Sequence, residues 1–430
     1  MGGRPEPRGP GGGAAVTAVE RAGRPHLAIV GGGLAGLSAA LASVDAGVRV
    51  TLLEARPWLG GLTFSFRRRG LWVDNGQHVS LRCFSAYRWF LDRVGAAQGL
   101  EIQPRFAVPV VAPGGRVAWL RRGRLPAPVH LASSLLAYRH LSLADRLRAA
   151  RAAAALRKVP PSEDDATFGR WLADHGQSPA AVRCLWDLVC RAALNLPATE
   201  ASLGLAAFVF RRGLLEEAAA GDIGVPRWPL HRLHGEPAGR ALAAAGAAVR
   251  LAAPVRSVVA SAVGVVLRLE DGAVAADAAV LAVPPAIAVR LAPDVLEDPA
   301  RVAAIEHTPI VDVHLVYDRA VLPFPFAATL DPAVQWAFDR SCAAGLPEGQ
   351  YLVLSLSAAE REVEERSEVL VARARRALEA LLPAARRARV ADAFVTRERA
   401  ATLRQAAGCG RLRPPTRTRS PRVFLAGAWV

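Results

Sequence analysis

Gly31, Gly33 and Gly36 are the residues whose spacing most directly implies chemistry. They stand as G-x-G-x-x-G within HLAIVGGGLAGLSAALASVDAGVRVTLLE, residues 26–54, between an apolar strand-like run (27–30) and an apolar helical run (34–46). In such a unit the first glycine permits the tight turn, the second lets a pyrophosphate reach the backbone, and the third lets helix and sheet pack closely. The helix turns the N–H groups of its first residues, Leu34 and Ala35, and its positive dipole end toward the phosphates. A second strand, 48–53, ends in Glu54, at about the 20-residue distance where an acid takes the ribose hydroxyls. An NADP site would favour a cation at that position. Strand, glycines, helix, strand and acid occur in order, so the sequence predicts a bound dinucleotide.

The residues that follow narrow the choice. EARPWLGGL places Ala55 directly after the acid, then the pair Gly60 and Gly61, then Leu62. This resembles the flavoprotein signature of the amine oxidase and phytoene desaturase superfamily, in which the glycine pair passes close to the flavin side of the pyrophosphate. The resemblance implies FAD rather than NAD. Two internal strings sharpen it. GLWVDNGQHVSLRC (70–83) and CRAALNLPATEAS (190–202) look like those of the hydroxysqualene dehydroxylases, also called squalene-associated FAD-dependent desaturases. VPRWPLHRLHGEPAGRAL (225–242) resembles the stretch before their second nucleotide-binding piece, and the likeness runs from about residue 26 to 430. Leu62 departs from the arginine many relatives carry, and Leu196 from the threonine of an Asn-Thr-Pro turn.

The resemblance implies an amine oxidase-like α/β fold: a Rossmann-like FAD-binding domain with an inserted α+β substrate domain. The expected FAD-binding pieces are 25–85, 223–299 and 406–430, and the expected substrate pieces are 86–222 and 300–405. Val255 corresponds to a position that meets the adenine through its backbone, with a plain sheet residue as the competing reading. VFLAGAWV, containing Gly427, resembles the strand and turn that return to the flavin. Relatives continue from there through a helix facing the flavin, and many have an aspartate where this chain has Ala428. The expectation is therefore a C-terminally truncated FAD-binding domain.

The implied reaction is reductive removal of the hydroxyl of hydroxysqualene, giving squalene for hopanoid synthesis. Loss of a hydroxyl needs a proton or strong hydrogen-bond donor within about 3 Å. The sequence offers His78 as donor, with Gln77 positioning the hydroxyl and Asp74 tuning the imidazole. The competing reading makes DNGQH a turn that packs on the flavin and orients it. Phe208, Phe210, Trp228, Phe324, Phe326, Trp336 and Phe338 are candidates to line an apolar tunnel, or plain core. A carotenoid-type desaturase or amine oxidase is the alternative enzyme. A membrane-surface binding protein without active flavin is the alternative of another class. No second G-x-G-x-x-G unit marks a nicotinamide site, which leaves the electron donor open.

Composition bounds these readings. A chain of 430 residues, 52% hydrophobic and 21% charged, can bury a large core and is expected to form two or three domains. Residues 1–24, rich in Gly, Pro and Arg, read as a disordered tail. No apolar run is long enough to span a bilayer. The five cysteines are odd in number and lack C-x-x-C spacing, which predicts reduced, buried thiols in a cytoplasmic protein and no metal site. The net charge of +16 is nearly all arginine, with Lys158 the only lysine, and is scattered rather than striped. It predicts no nucleic-acid partner and leaves a pull toward anionic lipid, peripheral on the inner face of the cell membrane. The stretch 119–138, with three arginines beside apolar residues ended by aromatics, suits a face lying on the bilayer where an isoprenoid hydrocarbon substrate dissolves. Strand-like runs at 246–285, 311–317 and 351–357 and a charged helix at 360–380 complete the pattern.

Overall fold

A computed structural model describes residues 23–430, so all but the end of the expected N-terminal tail lies outside the described residues. The chain opens with strand β1 (His26–Val30), helix α1 (Leu34–Asp45), strand β2 (Arg49–Leu53) and the hairpin β3 (Ser65–Arg68) to β4 (Leu71–Asp74). A second hairpin, β5 (Ala107–Ala112) and β6 (Arg116–Arg121), leads into a helical region containing α2 (Ala132–Ala137), α3 (Leu143–Leu156), α4 (Asp187–Leu194) and α5 (Leu203–Phe210). Strands β7 (Ala248–Arg250) and β8 (Ala278–Leu281) flank a three-stranded antiparallel meander. Then come β9 (His307–Tyr317), β10 (Phe326–Asp331), β11 (Val334–Asp339), β12 (Gln350–Ser357), α6 (Ser367–Leu381), β13 (Val390–Leu403) and β14 (Val423–Leu425).

Two sheets organise these elements. The first is five-stranded and parallel, in the order β7-β2-β1-β8-β14. Ile29, Val50 and Leu52 pack on α1, while Ala28, Val30, Leu53 and Leu281 pack on the meander. Burial on both faces explains the nearly unbroken apolar runs of these strands. The second is seven-stranded and mixed, in the order β13-β9-β12-β11-β10-β5-β6. Val311, Val313 and Leu315 look to α6 on one face of it. Alternation sends Asp312 and His314 to the other face, which the helical region and the β3–β4 hairpin cover.

The predicted helix at 360–380 begins later, at Ser367. Residues 360–365 form turns and a bend instead, with Glu362 and Glu365 paired to Arg373 and Glu364 to Arg399. Of the cysteines expected inside, Cys184 and Cys190 are buried, Cys83 and Cys409 half-buried, and Cys342 exposed.

Asn195, within one of the quoted internal strings, ties the helical region to the second sheet. It ends α4 in the left-handed conformation, φ 52°. Its side-chain amide donates to the Thr308 carbonyl and the Thr402 hydroxyl, both at 3.0 Å, and its oxygen accepts from Ala358 N–H at 2.7 Å. One buried side chain thus joins β9, β13 and the end of β12. Replacing Asn195 with Ala is expected to cost roughly 3–5 kcal/mol, from left-handed strain of about 1–2 kcal/mol and the hydrogen bonds lost. Asn195→Gly should recover about 1 kcal/mol of that, because glycine accepts the conformation. Urea midpoints of the two variants check both values; equal losses would remove the conformational part.

Candidate active site

The carboxyl ends of the parallel strands converge on one crevice, the place where open α/β sheets take their ligands. Gly31 leaves β1 at φ 106°, and a Cβ on it would lie 2.3 Å from the Ala282 carbonyl oxygen beyond β8. A Cβ on Gly36 would lie 1.9 Å from the Gly31 carbonyl oxygen. Both glycines are therefore required by the protein's own packing. Gly33 is different: its φ of −74° suits any residue, and a Cβ would meet nothing nearer than Gly61 Cα at 3.8 Å. The space in front of Gly33 is a cradle that a side chain would fill and that the fold itself does not need. Helix α1 starts at this glycine with no side-chain cap and no acid in its first turn, so its dipole faces the same space. The residues fit a dinucleotide pyrophosphate.

The glycine pair lies against this loop. Gly60 donates to the Gly32 carbonyl at 2.8 Å and bridges Gly33, and a Cβ on Gly61 would come within 2.9 Å of Gly33 Cα. Glu54 is buried, accepting from Gly32 N–H at 2.6 Å and Arg56 N–H at 2.7 Å. A carboxylate offers about four acceptor positions, so about two remain for ribose hydroxyls. Ala55 and Leu62 are exposed, and Leu34 and Ala35 half-buried. Residues 250–253 run beside Glu54 and Arg56 through backbone hydrogen bonds, which brings Val255 to the same corner with its side chain in the core. Gly427, φ 142°, follows β14, where Ala426 donates to the Leu281 carbonyl and the Trp429 indole to the Val283 carbonyl. The Gly31, Glu54, Val255 and Gly427 segments, distant in sequence, meet at one end of the sheet.

The DNGQH turn opens where β4 ends, and the charge of Asp74 raises the His78 pKa against a larger lowering by burial. Asp74 does not bond the His78 imidazole. Its buried carboxylate is engaged by Arg340 at 2.7 Å, the Ser65 hydroxyl at 2.6 Å and Leu230 N–H at 3.0 Å. Arg340, equally buried, also donates to the Pro226 carbonyl. A guanidinium gives Asp74 a nearer partner than a ring can, so this acid is a fastening between segments. His78 Nδ1 lies 3.0 Å from the Gly76 carbonyl oxygen, which can only accept. The ring has accessible surface, yet burial among the surrounding protein is the largest influence on its pKa and lowers it. A neutral ring in this geometry carries its proton on Nδ1 and presents Nε2 as an acceptor, whereas a protonated ring presents Nε2–H, the donor expected of His78. Gln77 is half-buried, with no side-chain hydrogen bond among the described residues.

Sequence reasoning missed several groups nearby. His234 is buried, bonded through Nε2 to the Tyr87 hydroxyl at 2.8 Å, and burial pushes its pKa down to about 3. His314 lies between Tyr351 at 2.7 Å and Thr396 at 2.9 Å, likewise pushed down to about 3. Asp312, its neighbour on the same face of β9, is raised to about 7 by burial, with the charge of Asp74 adding to the rise and the Ser355 hydroxyl opposing it. The only available signal was two polar residues alternating inside the apolar run VDVHLVY.

The aromatic candidates divide. Phe326, Trp336 and Phe338 form a cluster on the inner face of the second sheet, with ring centroids 6.1 to 6.3 Å apart. Phe210 packs in the adjoining helical core, Phe324 packs with the outer core, Trp228 packs near α1, and Phe208 is exposed. In the 119–138 stretch, Arg122 is bonded to buried Asp222, and Tyr138 is buried with its hydroxyl on the Cys184 carbonyl. Both point inward rather than to a membrane face. Among the described residues no helix is long and apolar enough to cross a membrane, and no group of side chains could hold a metal ion.

A Rossmann-like sheet with a glycine cradle, set beside a mixed sheet with an apolar inner face, defines a flavin-dependent oxidoreductase. The chain belongs to the flavin containing amine oxidoreductase family, which it matches over residues 34–430. It is an FAD-dependent oxidoreductase. Hydroxysqualene dehydroxylase of Sinorhizobium fredii is 30% identical over 420 residues, covering 94% of this chain and 93% of the relative. Zeta-carotene desaturase of Solanum lycopersicum is 31% identical over 181 residues, a match spanning 39% of this chain and 30% of that protein. Among solved structures, an oxidoreductase from Methanosarcina mazei superposes with a TM-score of 0.73 at 16% identity, covering 93% of this chain and 94% of that one. Cyclohexylamine oxidase from Brevibacterium oxydans gives 0.63 at 18%, covering 94% and 92%. These two likenesses establish the fold.

The two glycine environments separate cofactor binding from folding. Gly33→Val should fold, with stability within about 1 kcal/mol of the parent, the scale of a changed N-cap, and carry little flavin. Gly36→Val should fail to fold, because its side chain would meet backbone. Circular dichroism and the flavin-to-protein absorbance ratio are the measurements; full flavin in folded Gly33→Val would remove the cradle assignment.

Proposed function

We propose that this enzyme catalyses the reductive dehydroxylation of hydroxysqualene to squalene, a step toward hopanoids. The observation that carries the reading is the near full-length similarity to hydroxysqualene dehydroxylase, against the partial match to zeta-carotene desaturases. Bound FAD, once reduced, supplies the hydride. The remaining work is the protein's: Gly33, the α1 N-terminus and Glu54 hold the nucleotide, and the aromatic inner face excludes water from a hydrocarbon. His78 Nε2 accepts the hydrogen bond of the substrate hydroxyl and orients it.

An isoprenoid substrate reaches the enzyme from a lipid surface, and the reading assigns the β6–α2 face to an anionic bilayer. Trp119, Leu125, Val129 and Leu136 are 38%, 58%, 48% and 53% exposed, with Arg121, Arg124 and Arg139 exposed beside them. Apolar groups ringed by arginine complement acyl chains beneath anionic headgroups.

Anaerobic mixing of pre-reduced enzyme with hydroxysqualene should reoxidise the flavin and yield squalene, while putrescine and zeta-carotene should not reduce the oxidised enzyme. Reduction by the carotene would favour desaturation instead. His78→Ala should slow reoxidation roughly 2- to 10-fold, the worth of one hydrogen bond of about 0.5–1.5 kcal/mol, with flavin content intact; an unchanged rate would remove its orienting role. Sedimentation with phosphatidylglycerol vesicles should weaken several-fold in Leu125→Glu/Leu136→Glu, with little binding to neutral vesicles in either form. Equal binding by parent and variant would move the contact elsewhere.

A further inference from the structure

Asp312 is an unexplained cost in this fold. It sits in β9, 1% exposed, and its Oδ1 has no hydrogen-bond partner among the described residues. A buried polar oxygen left unpaired costs about 1–3 kcal/mol, and native structures keep few of them without a reason. Its neighbour His314 shows that the fold can satisfy a buried polar group here, since both ring nitrogens of that residue are bonded.

Strand register places the group. Along one row of the second sheet, Thr396, Asp312, Ser355 and Trp336 lie side by side on β13, β9, β12 and β11. The next row holds Phe394, His314, Val353, Phe338 and Phe326. Asp312 therefore borders the aromatic cluster on the inner face. Hairpin β3–β4 lies over the same face, through Arg68 against Phe394 and Leu71 against the core of Val316, Tyr351 and Val353. The neighbouring charges are few. Asp74 bears on Asp312 from β4 and is itself neutralised by Arg340, while the residues beside it on β12 and β13 are the hydroxyls Ser355 and Thr396. Asp74 bears on His78 as well, which sets the imidazole and Asp312 in one electrostatic neighbourhood.

We propose that Asp312 is the catalytic acid of the dehydroxylation, its unpaired carboxyl oxygen facing the substrate hydroxyl. This rests on the functional reading above. As the carbon–oxygen bond breaks, the bonding pair leaves with oxygen, which takes the Asp312 proton and departs as water. The carbon that bore it receives a hydride from the reduced flavin, so substrate is reduced by two electrons and flavin oxidised by two. The carboxylate left behind stands beside whatever positive charge develops on that carbon, and solvent restores its proton. The same burial that raises the Asp312 pKa to about 7 keeps it protonated, and so able to donate, under mildly acidic conditions, with about half the molecules still protonated at neutral pH.

The test uses the flavin-loaded enzyme, Asp312→Asn, which keeps shape without a transferable proton, and Asp312→Leu, which packs as an apolar group. Reoxidation of pre-reduced flavin by hydroxysqualene should fall roughly 10²- to 10⁴-fold in both, the loss typical of a general acid, with flavin content unchanged. A second readout needs no substrate. An acid whose pKa is raised by folding stabilises the protein fully below its unfolded value, near 3.8, and loses that contribution as pH rises through about 7. The melting temperature of the parent relative to Asp312→Asn should therefore fall between pH 5 and pH 8. A flat difference, or a variant retaining near-parental reoxidation, overturns the assignment. A parent enzyme inert toward hydroxysqualene overturns the functional reading and this assignment together, whereas a flat pH difference in an active parent overturns this one alone.

Discussion

The ion pair between Asp74 and Arg340 is the contact on which the arrangement of the site depends. Asp74 ends the hairpin that leaves the nucleotide-binding sheet, and Arg340 follows β11 of the second sheet, so one buried bridge fastens the two. Breaking such a pair leaves a charge in a low-dielectric interior, a penalty of about 3–5 kcal/mol. The Ser65 hydroxyl, Leu230 N–H and Pro226 carbonyl fill the remaining positions around it. Two pieces hang from this bridge: the DNGQH turn continues directly from Asp74, and the aromatic strand β11 ends just before Arg340.

Around that fastening the molecule divides its labour by backbone and by side chain. The nucleotide end is made almost entirely of backbone, through glycines, a helix terminus and carbonyls. The second sheet presents side chains instead, and alternation puts Asp312 and His314 inward and Val311, Val313 and Leu315 onto α6. This difference governs what a sequence can disclose. Glycine spacing is a backbone requirement written into consecutive residues, so the cradle from Gly31 to Gly61, the cofactor and the family were legible before any coordinates. The roles of Asp74, Arg340, Asn195 and Asp312 come from partners far away in the chain, such as Asp74 with Arg340 or Asn195 with Thr308 and Thr402. No local pattern announces those pairings.

The sequence offered His78 as donor because the DNGQH string follows the glycine pair and holds three side chains able to address a hydroxyl. In place, its Nδ1 lies 3.0 Å from the Gly76 carbonyl oxygen, and the protein packed around it lowers its pKa. A buried carboxyl responds in the opposite sense, and Asp312 is raised to about 7. Desolvation acts in opposite directions on the two: it removes a proton from imidazolium and returns one to carboxylate.

The order of the second sheet has one more consequence. Among the described residues it is an open sheet, so β13 and β6 each leave a row of backbone groups without a strand beside them. Both edges carry arginine. Along and just beyond β13, Arg397, Arg399 and Arg404 reach Ser367, Glu364 and Glu360, and on β6, Arg116 and Arg121 are exposed. Bulky charge at these margins discourages a second chain from adding itself as another strand. Part of the scattered arginine excess thus stands where it opposes edge-to-edge pairing of the second sheet.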